Sequence, residues 1–358
     1  MCPTDATPAR PAPGFLFLSI NEVCNLHCRH CNYWKVKKPS LLTIDLHRTT
    51  KIIEEFAEIS PAGKVVICGG EPMLDVNTYF EVCRISRKLG LPTLSVTNGT
   101  LIDSLPAAER IVREGPDEIS ISLDGPTPEI HDRMRRQKGA FLAATSALIY
   151  LLRARTKSSD LWSTRRPTKI YTMGLLGNST YRLLPEFYAL VLDQIGTDKL
   201  KLNAIQPSFL NTTAGQLLEA DDNFRSESQV DPDVLLRVLR ECDERWHLHL
   251  NPTWISQVAS YFRALWKKPN LELGWRGDFG TSEKICNSGD RNLMVDVRGR
   301  ASLCFSNHFP SRELVWKGDL RTFWEDPGCR EEMSKCRALC GINHSVRAVS
   351  ATTRKQPR

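Results

Sequence analysis

The sequence has no run of about eighteen apolar residues, so no bilayer-spanning helix and no membrane partner are expected. A secretory signal is missing too: the opening MCPTDATPARPAPG contains no apolar core and reads as a disordered lead-in. No basic stretch is interleaved with aromatics, although 48 Lys and Arg against 41 Asp and Glu give a net charge of +7. The excess sits in Arg133, Arg135, Arg136 and Lys138, in residues 153–169, and in the tail after His344. Solvated faces and a basic tail account for it, and no nucleic-acid partner is expected. Internal repeats beyond a β/α alternation are also lacking. Cysteine is not scarce: the chain has 12. In a chain without export signals, and so read as cytoplasmic, they argue for metal or redox chemistry rather than disulfides.

A length of 358 residues with 41% hydrophobic content suits a large α/β domain with an appendage. Apolar runs at FLFLSI, KVVIC, PTLSVTNG, DEISISLDG, TKIYTMGLLGN and KLKLNAIQP read as strands separated by helical segments. Thr43 or Asp45 can start the first helix, and residues 77–89, 140–153 and 181–195 read as further helices. Such βαβ units predict a parallel sheet curled into a partial (β/α)6 TIM-like barrel over residues 15–210. Residues 1–14 form the lead-in, 211–280 a connecting helical segment, 281–344 a small C-terminal module and 345–358 a disordered basic tail. Residues 155–167 read as a surface insertion.

The stretch VCNLHCRHCNYW follows the first strand and holds Cys24, Cys28 and Cys31. Three thiolates are one short of a structural zinc site or an ordinary iron–sulfur cluster. Either a distant residue, His27 or His30 completes the set, or one metal position stays open for a small molecule. GGEP, Gly69 to Pro72, follows the second strand. Its glycines allow close backbone approach.

CNLHCRHC resembles the Cx3Cx2C motif of the radical S-adenosylmethionine (radical SAM) family, and GGEP resembles the family's second signature. The resemblance covers roughly residues 15–210 and 283–342. It implies a [4Fe–4S] cluster on Cys24, Cys28 and Cys31, with S-adenosylmethionine on the open iron. It places Gly69, Gly70 and Glu71 against the methionine amino group and His30 at the border of the adenine. Asn98 and Ser122, at the ends of the third and fourth strands, would contact ribose or substrate, and Leu175 would pass near the adenine. Arg135, in HDRMR, would face the S-adenosylmethionine carboxylate, which a guanidinium grips bidentately; Arg136 is the neighbouring candidate.

Cys286, Gly299 and Cys304 show the spacing Cx12Gx4C, and the segment between reads as a hairpin. CRALC adds Cys336 and Cys340. The pattern resembles the SPASM and twitch extensions of radical SAM enzymes, without the CxxCx5C part of a full SPASM domain. A twitch-type module with one auxiliary [4Fe–4S] cluster on Cys286, Cys304, Cys336 and Cys340 is implied, with Cys329 as the alternative to Cys336. A structural zinc ribbon is the competing reading.

The resemblance implies reductive cleavage of S-adenosylmethionine to a 5′-deoxyadenosyl radical, fed by an electron donor such as flavodoxin or ferredoxin. That radical would abstract hydrogen from a C–H of a small molecule, expected to be a carbohydrate-like natural product in antibiotic biosynthesis. Epimerisation and dehydrogenation both remain open. Cys68, before GGEP, is the candidate hydrogen donor for the first, with simple packing as its alternative role. The short lead-in argues against a leader-binding domain, so a peptide-modifying enzyme stands second. A non-catalytic iron–sulfur or zinc protein stands third.

Overall fold

The computed structural model describes residues 11–31, 34, 44–163, 165–206, 222–267, 288–304, 312–313 and 320–334. Cys286, Cys336, Cys340, Thr43 and the 345–358 tail lie outside the described residues.

The chain alternates as expected. β1 (Phe15–Ser19) leads to α1 (Leu46–Ile59), β2 (Lys64–Cys68), α2 (Val76–Lys88) and β3 (Thr93–Thr97). α3 (Leu105–Glu114), β4 (Glu118–Ser122), α4 (Pro128–Arg135), α5 (Ala140–Lys157) and β5 (Lys169–Leu176) follow. Next come α6 (Leu184–Tyr188) and β6 (Lys199–Ala204), then α7 (Asp222–Glu227), α8 (Pro232–Trp246) and α9 (Pro252–Lys267). α10 (Ser288–Arg291), β7 (Asn292–Val295), β8 (Arg300–Ser302), β9 (Arg312–Glu313), α11 (Leu320–Glu325) and α12 (Pro327–Ser334) close the described chain.

β1 to β6 are parallel and adjacent in sequence order, the arrangement of a partial (β/α)6 barrel. β7 pairs in parallel with the free edge of β1, and β8 and β9 continue antiparallel. The hairpin expected in the C-terminal module therefore extends the barrel sheet itself. Its turn passes through Gly299 at φ +80°, a left-handed conformation that suits glycine.

The strand pattern explains which face does what. Leu16, Leu18, Val65, Ile67, Ile119, Ile121, Ile170, Leu200 and Leu202 are buried in the core, together with Ile52, Ile53 and Phe56 of α1. Burying each contributes roughly 1.5–3 kcal/mol, so this outer layer holds the barrel. The alternate residues share the opposite, concave face: Ser19 beside Cys68, Ser122 beside Met173, Leu175 beside Asn203. That face is free to carry polar chemistry.

Local chemistry sets the boundaries. Asp45 caps α1, its carboxylate accepting from the Arg48 amide at 2.8 Å. Asp231 caps α8, accepting from the amides of Asp233 and Val234 at 2.9 and 3.1 Å. Residues 181–195 are expected as one helix. Instead a 3-10 turn (Tyr181–Leu183), α6 and a π-helical turn (Ala189–Ile195) follow one another, with Pro185 restarting the helix.

Residues 155–167 are not a loose insertion. Arg155 lies in α5, donates to the Thr168 carbonyl at 3.2 Å and pairs with Asp198 at 2.5 Å. Arg165 donates to the carbonyls of Val112 and Arg113 at 3.2 and 2.9 Å, satisfying the end of α3. Basic side chains read from sequence as solvated are thus pinning the chain.

Candidate active site

The three-cysteine loop leaves β1 at the C-terminal end of the sheet, and neighbouring strand ends tie it down. GGEP binds it through the backbone: the Gly70 amide donates to the Asn21 carbonyl at 3.2 Å, and the Glu71 amide to the Val23 carbonyl at 2.7 Å. The Asn21 amide side chain returns a bond to the Glu71 carbonyl at 2.9 Å. Two glycines are needed for this contact. Gly69 has φ +146°, and a Cβ there would lie 2.5 Å from the Asn21 carbonyl oxygen; one at Gly70 would overlap the Val23 carbonyl. The close approach they permit is to the cluster loop.

The end of β3 adds a second tie. Asn98 donates to the Asn25 side chain at 2.8 Å, and Asn25 donates to Thr100 at 2.8 Å. Within the loop, the Trp34 indole donates to the Cys28 carbonyl at 3.1 Å. From α4, the Met134 carbonyl accepts from the Arg29 amide at 2.8 Å. From the β7–β8 turn, Arg298 pairs with the buried Glu22 at 2.6 Å.

The thiols share one environment. Burial, with smaller contributions from the charges of Glu71, Cys28 and Cys31, pushes the Cys24 thiol up to about 12. Burial also raises Cys28, against the pull of Arg135. Among the described residues no three His, Cys, Asp or Glu side chains converge on a point able to hold one metal ion. A [4Fe–4S] cube binds each thiolate at a different iron, so its ligands stay apart. Three thiols on one anchored loop, with Cys28 and Cys31 within electrostatic reach of Cys24, suit such a cube.

Two carboxylates flank the loop. Glu71 is 2% exposed and fully engaged: it accepts from Thr97 at 2.6 Å, from the Asn98 amide at 2.8 Å and from the Met73 amide at 3.1 Å. Burial raises its pKa above the ordinary carboxylate value, and those hydrogen bonds pull partly back. Asp124 is equally buried and meets Arg135 through both oxygens, Nε to Oδ2 at 2.7 Å and Nη2 to Oδ1 at 2.8 Å. Burial opposes its ionisation, but the charge of Arg135 brings its pKa below the usual range. The Asp124 amide donates to His131 Nδ1 at 2.9 Å, which requires a neutral imidazole. Burial lowers His131 to about 4, which keeps it so.

Arg135, expected at a ligand carboxylate, thus has its fork closed on Asp124, while Nη1 points at Cys28 Sγ 3.6 Å away. His30 lies within electrostatic reach of Asp124. Arg136 is the left-handed cap of α4, φ +51°, with its guanidinium 5.8 Å from the Trp34 ring. Ser122 is 9% exposed at the end of β4, and Leu175 is half-buried on the concave face. Cys68 is half-buried beside Ser19, and burial pushes its thiol up to about 12. Of the C-terminal cysteines, Cys304 is half-buried after β8 and Cys329 is buried in α12.

Sequence reasoning missed several anchors: Asn25, Thr97, the Glu22–Arg298 pair, and the Glu118–Lys201 pair on the concave face with Tyr171 beneath the ammonium. Strand alternation alone could have put Glu118, Tyr171 and Lys201 on one face.

An anchored three-thiol loop at the mouth of a parallel partial barrel suits an iron–sulfur site, and known proteins resemble the chain over this part. Residues 18–177 match the Radical SAM superfamily. The AdoMet-dependent heme synthase of Oleidesulfovibrio alaskensis is 32% identical over 146 residues, 40% of this chain and 36% of that protein. The chain therefore spans well under two thirds of that relative. Streptococcus suis SuiB bound to S-adenosylmethionine shares the fold with a TM-score of 0.63 at 13% identity, over 90% of this chain and 68% of that one. anSMEcpe with bound AdoMet gives 0.59 at 16% identity, over 92% and 89%. Over residues 18–177 the chain is similar to the radical SAM superfamily, whose members bind a [4Fe–4S] cluster and S-adenosylmethionine. Among the described residues no helix is long and apolar enough to cross a membrane.

Proposed function

We propose that Cys24, Cys28 and Cys31 ligate the [4Fe–4S] cluster and that the concave mouth beside them binds S-adenosylmethionine and substrate. The observation that carries this reading is the double backbone tie between the cysteine loop and GGEP, which fixes the thiols at the strand ends. When bound, cluster and S-adenosylmethionine supply a 5′-deoxyadenosyl radical, which removes hydrogen from an unactivated C–H. The protein's part is positional. The strand ends aim Ser19, Cys68, Ser122, Leu175 and Asn203 into one mouth, where polar and aliphatic groups alternate. Such a lining suits a small organic molecule with both hydroxyl or amine groups and carbon faces.

The sugar substrate expected from sequence draws no support from the relatives, whose names concern heme, Fe-coproporphyrin III and GTP. We therefore leave the substrate at that chemical class. For the outcome, epimerisation is the reading that uses this chain's own residues. Cys68 is held as a thiol by burial, on the concave face, and only S–H can give a hydrogen atom. The substrate radical would take that hydrogen, and the cysteinyl radical left would regain one electron from the external reductant, of the flavodoxin or ferredoxin class, and one proton from solvent. Cys304, with Cys286, Cys336 and Cys340 or Cys329, would hold an auxiliary cluster.

The test is anaerobic reconstitution with iron and sulfide, then reduction by dithionite with S-adenosylmethionine present. We expect 5′-deoxyadenosine from the wild type, and none from Cys28→Ser. About four irons per chain would indicate one cluster and about eight would indicate two. A wild type that holds a cluster yet releases no 5′-deoxyadenosine overturns the assignment. With substrate, deuterium from heavy water at a product carbon supports Cys68 as donor, and a two-electron-oxidised product removes it.

A further inference from the structure

We propose that Arg135 is a positioning and redox-tuning residue for the cluster loop rather than a ligand-binding arginine. The inference rests on the reading that Cys28 is a cluster ligand. Three observations carry it. First, the guanidinium is committed: Nη2 donates to Asp124 Oδ1 at 2.8 Å and Nε lies 2.7 Å from Oδ2 as an ion-pair contact, in a pair whose side chains are 10% and 3% exposed. With that edge turned to Asp124, only the Nη1 end of the guanidinium is left to reach another group. Second, the remaining nitrogen, Nη1, faces Cys28 Sγ at 3.6 Å. Third, the arginine cannot drift from the sulfur. The Met134 carbonyl, one residue before it, holds the Arg29 amide at 2.8 Å, and the left-handed Arg136 ends the helix just beyond.

The physical consequence follows from charge. Adding one electron to a thiolate-bound cluster makes it more negative. A fixed cation that donates to one of its sulfurs stabilises that added charge. Asp124 partly offsets the cation and fixes its direction. Arg135 therefore makes the cluster easier to reduce by the external one-electron donor. His131 supports the arrangement from behind: as a neutral acceptor for the Asp124 amide it holds the aspartate without adding charge.

The experiment is an EPR-monitored redox titration of anaerobically reconstituted, S-adenosylmethionine-free wild type, Arg135→Gln and Arg135→Lys. Arg135→Gln is expected to shift the reduction equilibrium at least tenfold toward the oxidised cluster, about 59 mV for a one-electron couple. Arg135→Lys, which keeps the charge without the fork, is expected to fall between the other two. It carries the decision if the glutamine variant fails to hold its cluster. Identical potentials in all proteins that hold a cluster overturn the proposal. So do unchanged potentials with weakened S-adenosylmethionine affinity, which would return Arg135 to the ligand carboxylate. Cys28→Ser separates the underlying reading: full iron content and an unaltered EPR signal there would show that Cys28 is not a ligand at all.

Discussion

Glu71 and Asp124 are both 2% exposed at the mouth of the barrel, yet their surroundings drive them in opposite directions. Glu71 is held by three neutral donors, and burial raises its pKa. Asp124 is buried as deeply but meets a guanidinium face on, and its pKa falls. Burial alone does not decide the ionisation of a carboxylate; the charge of its nearest donor does. The consequences for stability carry opposite signs. A lowered folded pKa contributes stability above the unfolded value that is lost as pH falls through the folded pKa. A raised folded pKa contributes stability below the unfolded value that is lost as pH rises through the folded pKa. Asp124 therefore favours the fold on the neutral side, and Glu71 on the acid side.

Breaking the charged site should have the largest effect. Asp124→Asn leaves Arg135 buried without its counter-charge, a change that costs about 3–5 kcal/mol in buried pairs. Urea unfolding of the purified protein would show a lower midpoint at unchanged slope. A loss within about 0.5 kcal/mol would mean that the pair is not buried in solution.

His131 sharpens the same side of the comparison. Its pKa is lowered from the ordinary 6.5 to about 4 by burial, so the unfolded chain binds its proton first. Stability from His131 is complete above about pH 6.5 and is lost as pH falls towards 4, roughly 3 kcal/mol in all. His131→Gln, which can still accept from the Asp124 amide, should remove that step from a plot of stability against pH. A plot that keeps it assigns the acid sensitivity to another group.

Glu71→Gln tests the other carboxylate. The glutamine amide would meet the donors of Thr97 or Asn98 with a donor of its own, an expected loss of about 1–3 kcal/mol. The variant should also lose the decline in stability on the alkaline side of the Glu71 pKa. If its pH profile matches the wild type, Glu71 is not the group responsible.

What the sequence showed of this site, and what it hid, divides along the same line. The strands were legible because each is short and apolar on its outer face, as in KVVIC and FLFLS. The cysteine loop and GGEP were legible because spacing and glycine carry their own chemical reason. The ties between them were not. Asp124 and Arg135 meet only because α4 turns back after the β4 loop, and no spacing rule announces a pair eleven residues apart across a turn. The glycines of GGEP were read correctly as places of close approach, but sequence could not say which backbone comes close. Arg155 and Arg165 looked like surface charge because a lone basic residue carries no sign of the carbonyl it will meet. Cys286, Cys336 and Cys340 lie outside the described residues, so the auxiliary set stands on its sequence pattern with Cys304.

A third carboxylate sets the small end of the comparison. Glu22 is 4% exposed and meets Arg298 at 2.6 Å, as close as Asp124 meets Arg135, but the arginine side chain is 39% exposed. Water already solvates that partner, so the pair gains less from its contact and feels salt more. Arg298→Ala should cost about 1 kcal/mol, well below Asp124→Asn, and the difference from wild type should shrink from low salt to about 1 M. The Asp124→Asn penalty should not change over the same range. Because Arg298 sits on the β7–β8 turn and Glu22 lies two residues before Cys24, the variant also reports on whether the C-terminal hairpin steadies the cysteine loop. Faster loss of iron to a chelator at low salt is expected, with the rate returning towards wild type as the wild-type pair is itself screened. A chelation rate equal to wild type at every salt concentration would confine the pair to stability and leave the loop to its ties with GGEP, Asn98 and α4.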